Sequence, residues 1–198
     1  MSSRLLQIFA KAPILGKVKT RLAKDIGDEQ ACNVYQSLLF NTVKSTHDES
    51  WKTELWCAPD SQHPALQSLS KQYALSLETQ CQGDLGERML FALQAGKTRA
   101  NKVVLIGSDC PVISVAYIQQ AFNMLDTKDI VFGPVEDGGY LLIACKSTHV
   151  HLFEKVKWSC ADTLLLNIKA VEKCRLSYGL LDTLWDLDNL EDLKRLLS

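Results

Sequence analysis

Short apolar runs alternate with longer stretches of helical spacing along the whole chain. Residues 5–10 are apolar apart from Gln7 and predict a first buried strand. A loop carrying Pro13 and Gly16 follows, and then a helix from Val18 to about Gly27. Asp28 predicts the cap of a second helix, in which Ala31, Val34, Tyr35, Leu38, Leu39 and Thr42 recur on one face. Further strands are predicted over 53–58, 74–77, 103–106, 129–132, 140–145 and 175–181. Helices are predicted over 64–73, from the 83–86 loop to about 97, and over 114–125, 161–172 and 189–198. This rhythm predicts an α/β protein, a three-layer α/β/α sandwich with a mixed, mostly parallel sheet. The hairpin-like return at 133–140 predicts one antiparallel strand.

The length of 198 residues suits one domain spanning 1–198. A formal net charge of −1 gives no global field to recruit nucleic acid or an anionic membrane. Residues 1–4 lead straight into the first strand, so no secretory leader is expected. No apolar stretch approaches the ~20 residues needed to span a bilayer, so a cytoplasmic protein without membrane insertion is expected. The sequence gives no oligomeric state. Seven widely spaced cysteines without a CxxC pair point to reduced thiols rather than disulfides. Four isolated histidines argue against zinc, and His149 and His151 lack a third ligand in the local pattern.

The candidate chemistry sits in the loops that follow strands. Gly107-Ser108-Asp109-Cys110-Pro111 follows the uninterrupted run 103–106, which predicts a central strand. Such a strand delivers Asp109 into the crevice where open α/β sheets bind ligands. A carboxylate there suits a divalent cation, since Mg²⁺ is held by one or two carboxylates plus substrate phosphates. The alternative is a helix cap, a role Ser114 fills equally well. Between the first strand and its helix, Lys11, Lys17, Lys19 and Arg21 place four positive charges within eleven residues. With Gly16 and Thr20 they predict a phosphate-binding loop at a helix N-terminus. The spacing matches neither a Walker A loop nor GxGxxG.

Gly83-Asp84-Leu85-Gly86-Glu87-Arg88 opens a predicted helix. Asp84 and Glu87 suit a reciprocal cap, while Arg88 opposes the helix dipole and suits an anionic or nucleobase contact. Gly133-Pro134-Val135-Glu136-Asp137-Gly138-Gly139-Tyr140 offers Asp137, and with less weight Glu136, as a metal or acceptor ligand. The same Asp-Gly pair is also a plain turn signal. Asp186 and Asp188 share one side of an extended segment. Asp188 or Asn189 reads more readily as the cap of the last helix, and Asp186 as a weaker third metal candidate. Asp109 beside Cys110 disfavours a thiolate there, so no nucleophilic cysteine is expected.

Taken in order, these motifs, with Phe9-Ala10-Lys11-Ala12-Pro13, Trp158-Ser159 and the 186–193 acidic segment, resemble the bacterial DUF2064 family. That family is also described as radical-SAM/selenodomain-associated glycosyltransferases. The resemblance implies a GT-A-like nucleotide-diphospho-sugar transferase fold. It implies that 16–21 holds nucleotide phosphates and that 83–88 lies against the nucleotide. It also implies that Asp109 binds Mg²⁺ or Mn²⁺ and that Asp137 sits near the acceptor or a second metal. Leu15 and Leu141 depart from the family pattern, as does the lack of an Asp-x-Asp at Asp109.

Residues and resemblance together predict a metal-dependent transferase using a nucleotide or nucleotide sugar, with Asp109, Asp137 and Lys19 as catalytic groups. Its nucleotide contacts would be Lys11, Gly16, Lys17, Lys19, Thr20, Arg21, Gly83, Asp84, Gly86 and Arg88. Glycosyl transfer to an unknown small molecule is the first reading. Nucleotidyl transfer from a triphosphate to a phosphorylated acceptor is the second, and a nucleotide-binding protein without turnover is the third.

Overall fold

The alternation of short apolar runs with amphipathic stretches becomes a seven-stranded sheet flanked by helices in the computed structural model, which describes residues 3–198. The strands are β1 (Arg4–Lys11), β2 (Lys52–Ala58), β3 (Ser76–Thr79), β4 (Lys102–Ile106), β5 (Ile130–Pro134), β6 (Tyr140–Cys145) and β7 (Tyr178–Leu180). The helices are α1 (Thr20–Ile26), α2 (Asp28–Thr46), α3 (Pro64–Tyr73), α4 (Leu85–Lys97), α5 (Val115–Met124), α6 (Thr163–Lys173) and α7 (Leu190–Leu197). The strand order is β3-β2-β1-β4-β6-β5-β7. β6 runs antiparallel to both neighbours, and every other pairing is parallel. The predicted hairpin return therefore supplies the one reversed strand.

Side chains of the central strands alternate between two cores, as a strand period of two requires. Leu6, Ile8, Val104 and Ile106 face the core that also holds Tyr35, Leu39 and Phe122 from α2 and α5. Leu5, Val103 and Leu105 face the other, with Met89, Ala92 and Leu93 of α4. A third cluster joins Leu22 and Leu38 to Leu187, and Leu190 and Leu193 of α7 pack against it. No described helix is long and apolar enough to cross a membrane.

Several boundaries differ from the sequence reading for local reasons. The first helix begins at Thr20 rather than Val18, because Val18 is buried in the core and Lys19 adopts a left-handed conformation at φ 47°. The third strand starts at Ser76 rather than residue 74, since Ala74 ends α3 in the left-handed region at φ 52°. A 3₁₀ turn at Val150–Phe153 carries no periodic signal and went unpredicted.

Gln7, the polar exception in the first strand, is explained by its partner. Its amide donates to the Ala92 carbonyl at 2.8 Å and to Glu54 at 3.2 Å. The buried Glu54 carboxylate also accepts from the Trp56 indole at 3.0 Å and from Arg99 at 2.8 and 2.9 Å. Three donors thus neutralise and satisfy one buried charge. Glu54→Ala leaves the two buried donors of Gln7 and Trp56 without their shared acceptor, and is expected to cost about 3 kcal/mol. Urea denaturation checks this, and a loss below about 1 kcal/mol would show that the network is dispensable.

Candidate functional site

β1 and β4 end at the same sheet edge, and β6 starts there, with Ile106 opposite Leu142. The loops after β1, β4 and β5 meet at this edge around a cleft of about 570 Å³. The C-terminal segment closes its floor, where the Leu187 N–H donates to the Asp109 carbonyl at 3.0 Å. Position in the sheet therefore gathers residues more than a hundred apart in the chain, as open α/β sheets do at their carboxyl edge.

At the bottom lies Lys19. Its side chain is only 4% exposed, and its ammonium stands 2.5 Å from Asp109 Oδ1. It also donates to the Leu187 carbonyl at 2.5 Å and lies 3.7 Å from Asp188 Oδ1. Asp109 remains half-exposed toward the cleft. Arg21 reaches Asp188 at 3.1 Å and is otherwise open to solvent. On the opposite flank the buried Tyr35 hydroxyl accepts from the Lys11 N–H at 2.7 Å and lies 3.2 Å from Ser108 Oγ. Burial pushes the Tyr35 phenol well above its ordinary value, so it acts as a fixed hydrogen-bonding post.

Four carboxylates border the cleft: Asp109, Asp137, Asp186 and Asp188. Asp137 folds back to accept the Gly139 N–H at 2.9 Å. Asp186 is half-buried, and its carboxyl is pushed up to about 6 by burial and then by the charges of Asp188, Asp137 and Asp109. Burial makes the largest part of that shift, and the three neighbouring carboxylates add to it. The donor set fits a divalent cation shared with a phosphate, because one or two carboxylates suffice when the substrate supplies the other oxygens. Among the described residues no three His, Cys, Asp or Glu side chains are grouped so that they could hold a metal ion by themselves.

The far wall is apolar and hydroxylic, with Leu85, Met89, Tyr140, Trp158 and Thr163. Gly86 lets α4 approach it: a Cβ there would stand 2.7 Å from the Trp158 ring and 2.9 Å from Phe153 Cβ. Gly138, at φ 85°, lets the 135–139 turn pass under Ala161, where a Cβ would fall 2.0 Å from the carbonyl oxygen. Burial pushes the Cys110 thiol up to about 11, in accord with the absence of a nucleophilic role.

Of the residues singled out from the sequence, Lys11, Lys19, Thr20, Arg21, Arg88, Asp109, Asp137 and Asp186 line the cleft. Gly16, Lys17, Gly83, Asp84 and Gly86 are not among its lining residues. Asp84 and Glu87 form the reciprocal cap of α4, at 2.9 and 2.8 Å. Arg88 Nε donates to the Gly83 carbonyl at 2.9 Å. Glu136, weighed beside Asp137 as a ligand, instead pairs with Arg195. Asp188, read as a helix cap, faces the cleft while Asn189 caps α7. Its alternation with Asp186 was the available signal. Tyr35 went unnoticed because its helical spacing marks only a core position.

Comparison with known proteins follows from this geometry. The family model for DUF2064, described as an uncharacterized protein conserved in bacteria, matches residues 42–160. A protein from Desulfovibrio desulfuricans assigned as a nucleotide-diphospho-sugar transferase is 30% identical, over 99% of this chain and 87% of that one, with a TM-score of 0.89. A cytidylyltransferase from Leptospira borgpetersenii aligns over 99% of this chain and 85% of its own, at 12% identity and a TM-score of 0.64. Glucosyl-3-phosphoglycerate synthase from Mycobacterium tuberculosis, in complex with Mn²⁺, UDP and glucosyl-3-phosphoglycerate, aligns over 98% of this chain and 75% of its own, at 10% identity and a TM-score of 0.59. The last two likenesses show a shared fold. No curated protein matches the chain significantly.

The raised Asp186 carboxyl has a measurable consequence. A carboxyl raised on folding binds its proton more tightly in the native state, so it weighs against folding increasingly as the pH rises from about 4 and fully above about 6. Asp186→Asn is therefore expected to melt above the wild type at pH 8. The gap should narrow as pH falls through 6 toward 4, where the native carboxyl is already neutral. Thermal unfolding across that range checks the sign. A variant less stable than the wild type at pH 8 would contradict the raised carboxyl.

Proposed function

We propose that this chain, which belongs to the bacterial DUF2064 family, is a divalent-metal-dependent transferase that moves a sugar from a nucleotide sugar to a small-molecule acceptor. The observation that carries the reading is the convergence of four carboxylates at the carboxyl edge of the sheet, with Lys19 buried among them and Arg21 and Lys11 at the rim. Full-length likeness to the Desulfovibrio transferase supports the reaction class.

Asp109 and Asp186 would hold Mg²⁺ or Mn²⁺, with Asp137 facing the same space. A cation bound there supplies neutralising charge for the departing diphosphate. Arg21 and Lys11 offer mobile cationic side chains to phosphate oxygens, and Arg21 would exchange Asp188 for a phosphate. Lys19 holds Asp109 aimed into the cleft, so that little reorganises when the donor binds. Trp158, Leu85 and Met89 present apolar surface on which a nucleobase or sugar face can lie. Asp137, tied by its own turn, suits the acceptor hydroxyl as a proton acceptor.

Calorimetry with ATP, GTP, CTP, UTP and common nucleotide sugars, each with and without Mn²⁺, tests the reading. One nucleotide sugar should bind in a metal-dependent manner and more tightly than its parent triphosphate. Preference for a free triphosphate would replace glycosyl by nucleotidyl transfer. With the donor known, Asp109→Ala should lose at least roughly 100-fold in turnover while keeping its fold. Undiminished turnover would remove Asp109 from the mechanism, and binding without turnover by any acceptor would leave a nucleotide-binding protein.

A further inference from the structure

Asp137 and Asp186 reach the cleft from two separate chain segments that run side by side. Val135 and Leu184 form an isolated parallel bridge. The Leu184 N–H donates to the Pro134 carbonyl at 3.0 Å, and the Glu136 N–H donates to the Leu184 carbonyl at 3.2 Å. Beyond that bridge one segment leads through Glu136 to Asp137, and the other through Trp185 to Asp186.

One side chain grips both segments at that point. Arg195 of α7 donates from Nη1 to Glu136 Oε2 at 2.8 Å and from Nη2 to Glu136 Oε1 at 3.0 Å. The same guanidinium lies over the Trp185 ring, with Cζ 4.4 Å from its centroid. Its edge thus holds the residue before Asp137, and its face holds the residue before Asp186. α7 is itself registered to the acidic segment, because the Asp192 carboxylate accepts the backbone N–H groups of Asp188 and Asn189 at 2.8 and 3.0 Å. Arg195 does not line the cleft.

Stability alone does not account for this arrangement. Both partners of the ion pair are about half-exposed, and a pair so open to solvent adds little to stability. A two-bond fork combined with stacking does, however, fix orientation, and only a planar guanidinium offers both. Two loops that bring negative charges together repel each other, and a tie outside the cleft reinforces the backbone bridge beyond the point where it ends.

We infer that Arg195 is a positioning residue: its grip on Glu136 and Trp185 sets the spacing of Asp137 and Asp186 across the cleft. The inference rests on the reading of the cleft as a cation site. It is tested with Mn²⁺ alone, by following free Mn²⁺ with electron paramagnetic resonance in the wild type, Arg195→Ala, Arg195→Lys and Glu136→Gln. Each variant should bind Mn²⁺ about tenfold more weakly, with a melting temperature within about 3 °C of the wild type. Lysine should not rescue, since an ammonium makes neither the fork nor the planar stack. Combining Arg195→Ala with Glu136→Gln should add little to the worse single change. Without metal, amide hydrogens of 135–139 and 184–188 should exchange faster in Arg195→Ala than in the wild type. Wild-type Mn²⁺ affinity in the variants, or rescue by lysine, would overturn the positioning role while leaving the cation site intact. A wild-type protein that binds no Mn²⁺, either alone or with UDP present, would overturn the cation site and this inference with it.

Discussion

The contact on which the site depends is the ion pair between the buried Lys19 and the half-exposed Asp109. It ties three distant pieces of chain into one: the turn after β1, the turn after β4, and the C-terminal segment through the Leu187 carbonyl. To reach that place Lys19 takes a left-handed backbone, which costs a non-glycine residue about 1–2 kcal/mol. Val18, immediately before it, is anchored in the core, so the chain has little freedom to relax the strain. The ammonium holds together carboxylates that would otherwise repel, and it leaves one face of Asp109 free.

The rest of the molecule serves to hold that arrangement still. The parallel strands β1 and β4 are buried on both faces, and their ends are therefore rigid platforms for the two turns. β6 enters between β4 and β5 in the opposite sense, which brings the start of a strand, Tyr140, to an edge otherwise made of strand ends. The 135–139 turn follows directly from that reversal. α7 then braces the acidic segment from outside, through Leu190 and Leu193 in the third cluster and through its cap. Charge is thus concentrated where the backbone is least able to move, which is what preorganised electrostatics requires.

Much of the fold was legible because burial writes itself into periodicity. The uninterrupted run 103–106 could only be a strand buried on both faces, and the face of α2 carrying Tyr35, Leu38 and Leu39 is buried as its spacing required. Asp109 and Asp137 stood out because each follows a buried strand, and Asp186 because it alternates with apolar residues; all three line the cleft. Ion-pair partners left no such trace. Nothing in Lys19-Thr20-Arg21 distinguishes the lysine that turns inward from the arginine that stays out, because that choice is made by a backbone dihedral. Glu136 and Asp137 are adjacent and chemically alike, yet one faces Arg195 and the other the cleft. Arg195 sits in an ordinary amphipathic helix, and its role depends on contacts 59 positions away along the chain. Side-chain pairing across the fold is a tertiary property, and a single sequence carries it only through the fold it specifies.

On the proposed function, the cleft carboxylates and the neighbouring cations form one site for a divalent ion and a nucleotide diphosphate. Crystals grown with Mn²⁺ and UDP, with anomalous scattering recorded at the manganese edge, test it most directly. The account predicts one strong peak coordinated by Asp109 and by Asp186 or Asp137, with diphosphate oxygens completing the shell and Arg21 turned toward them. A map with no peak in the cleft, or a nucleotide bound elsewhere on the molecule, would contradict it.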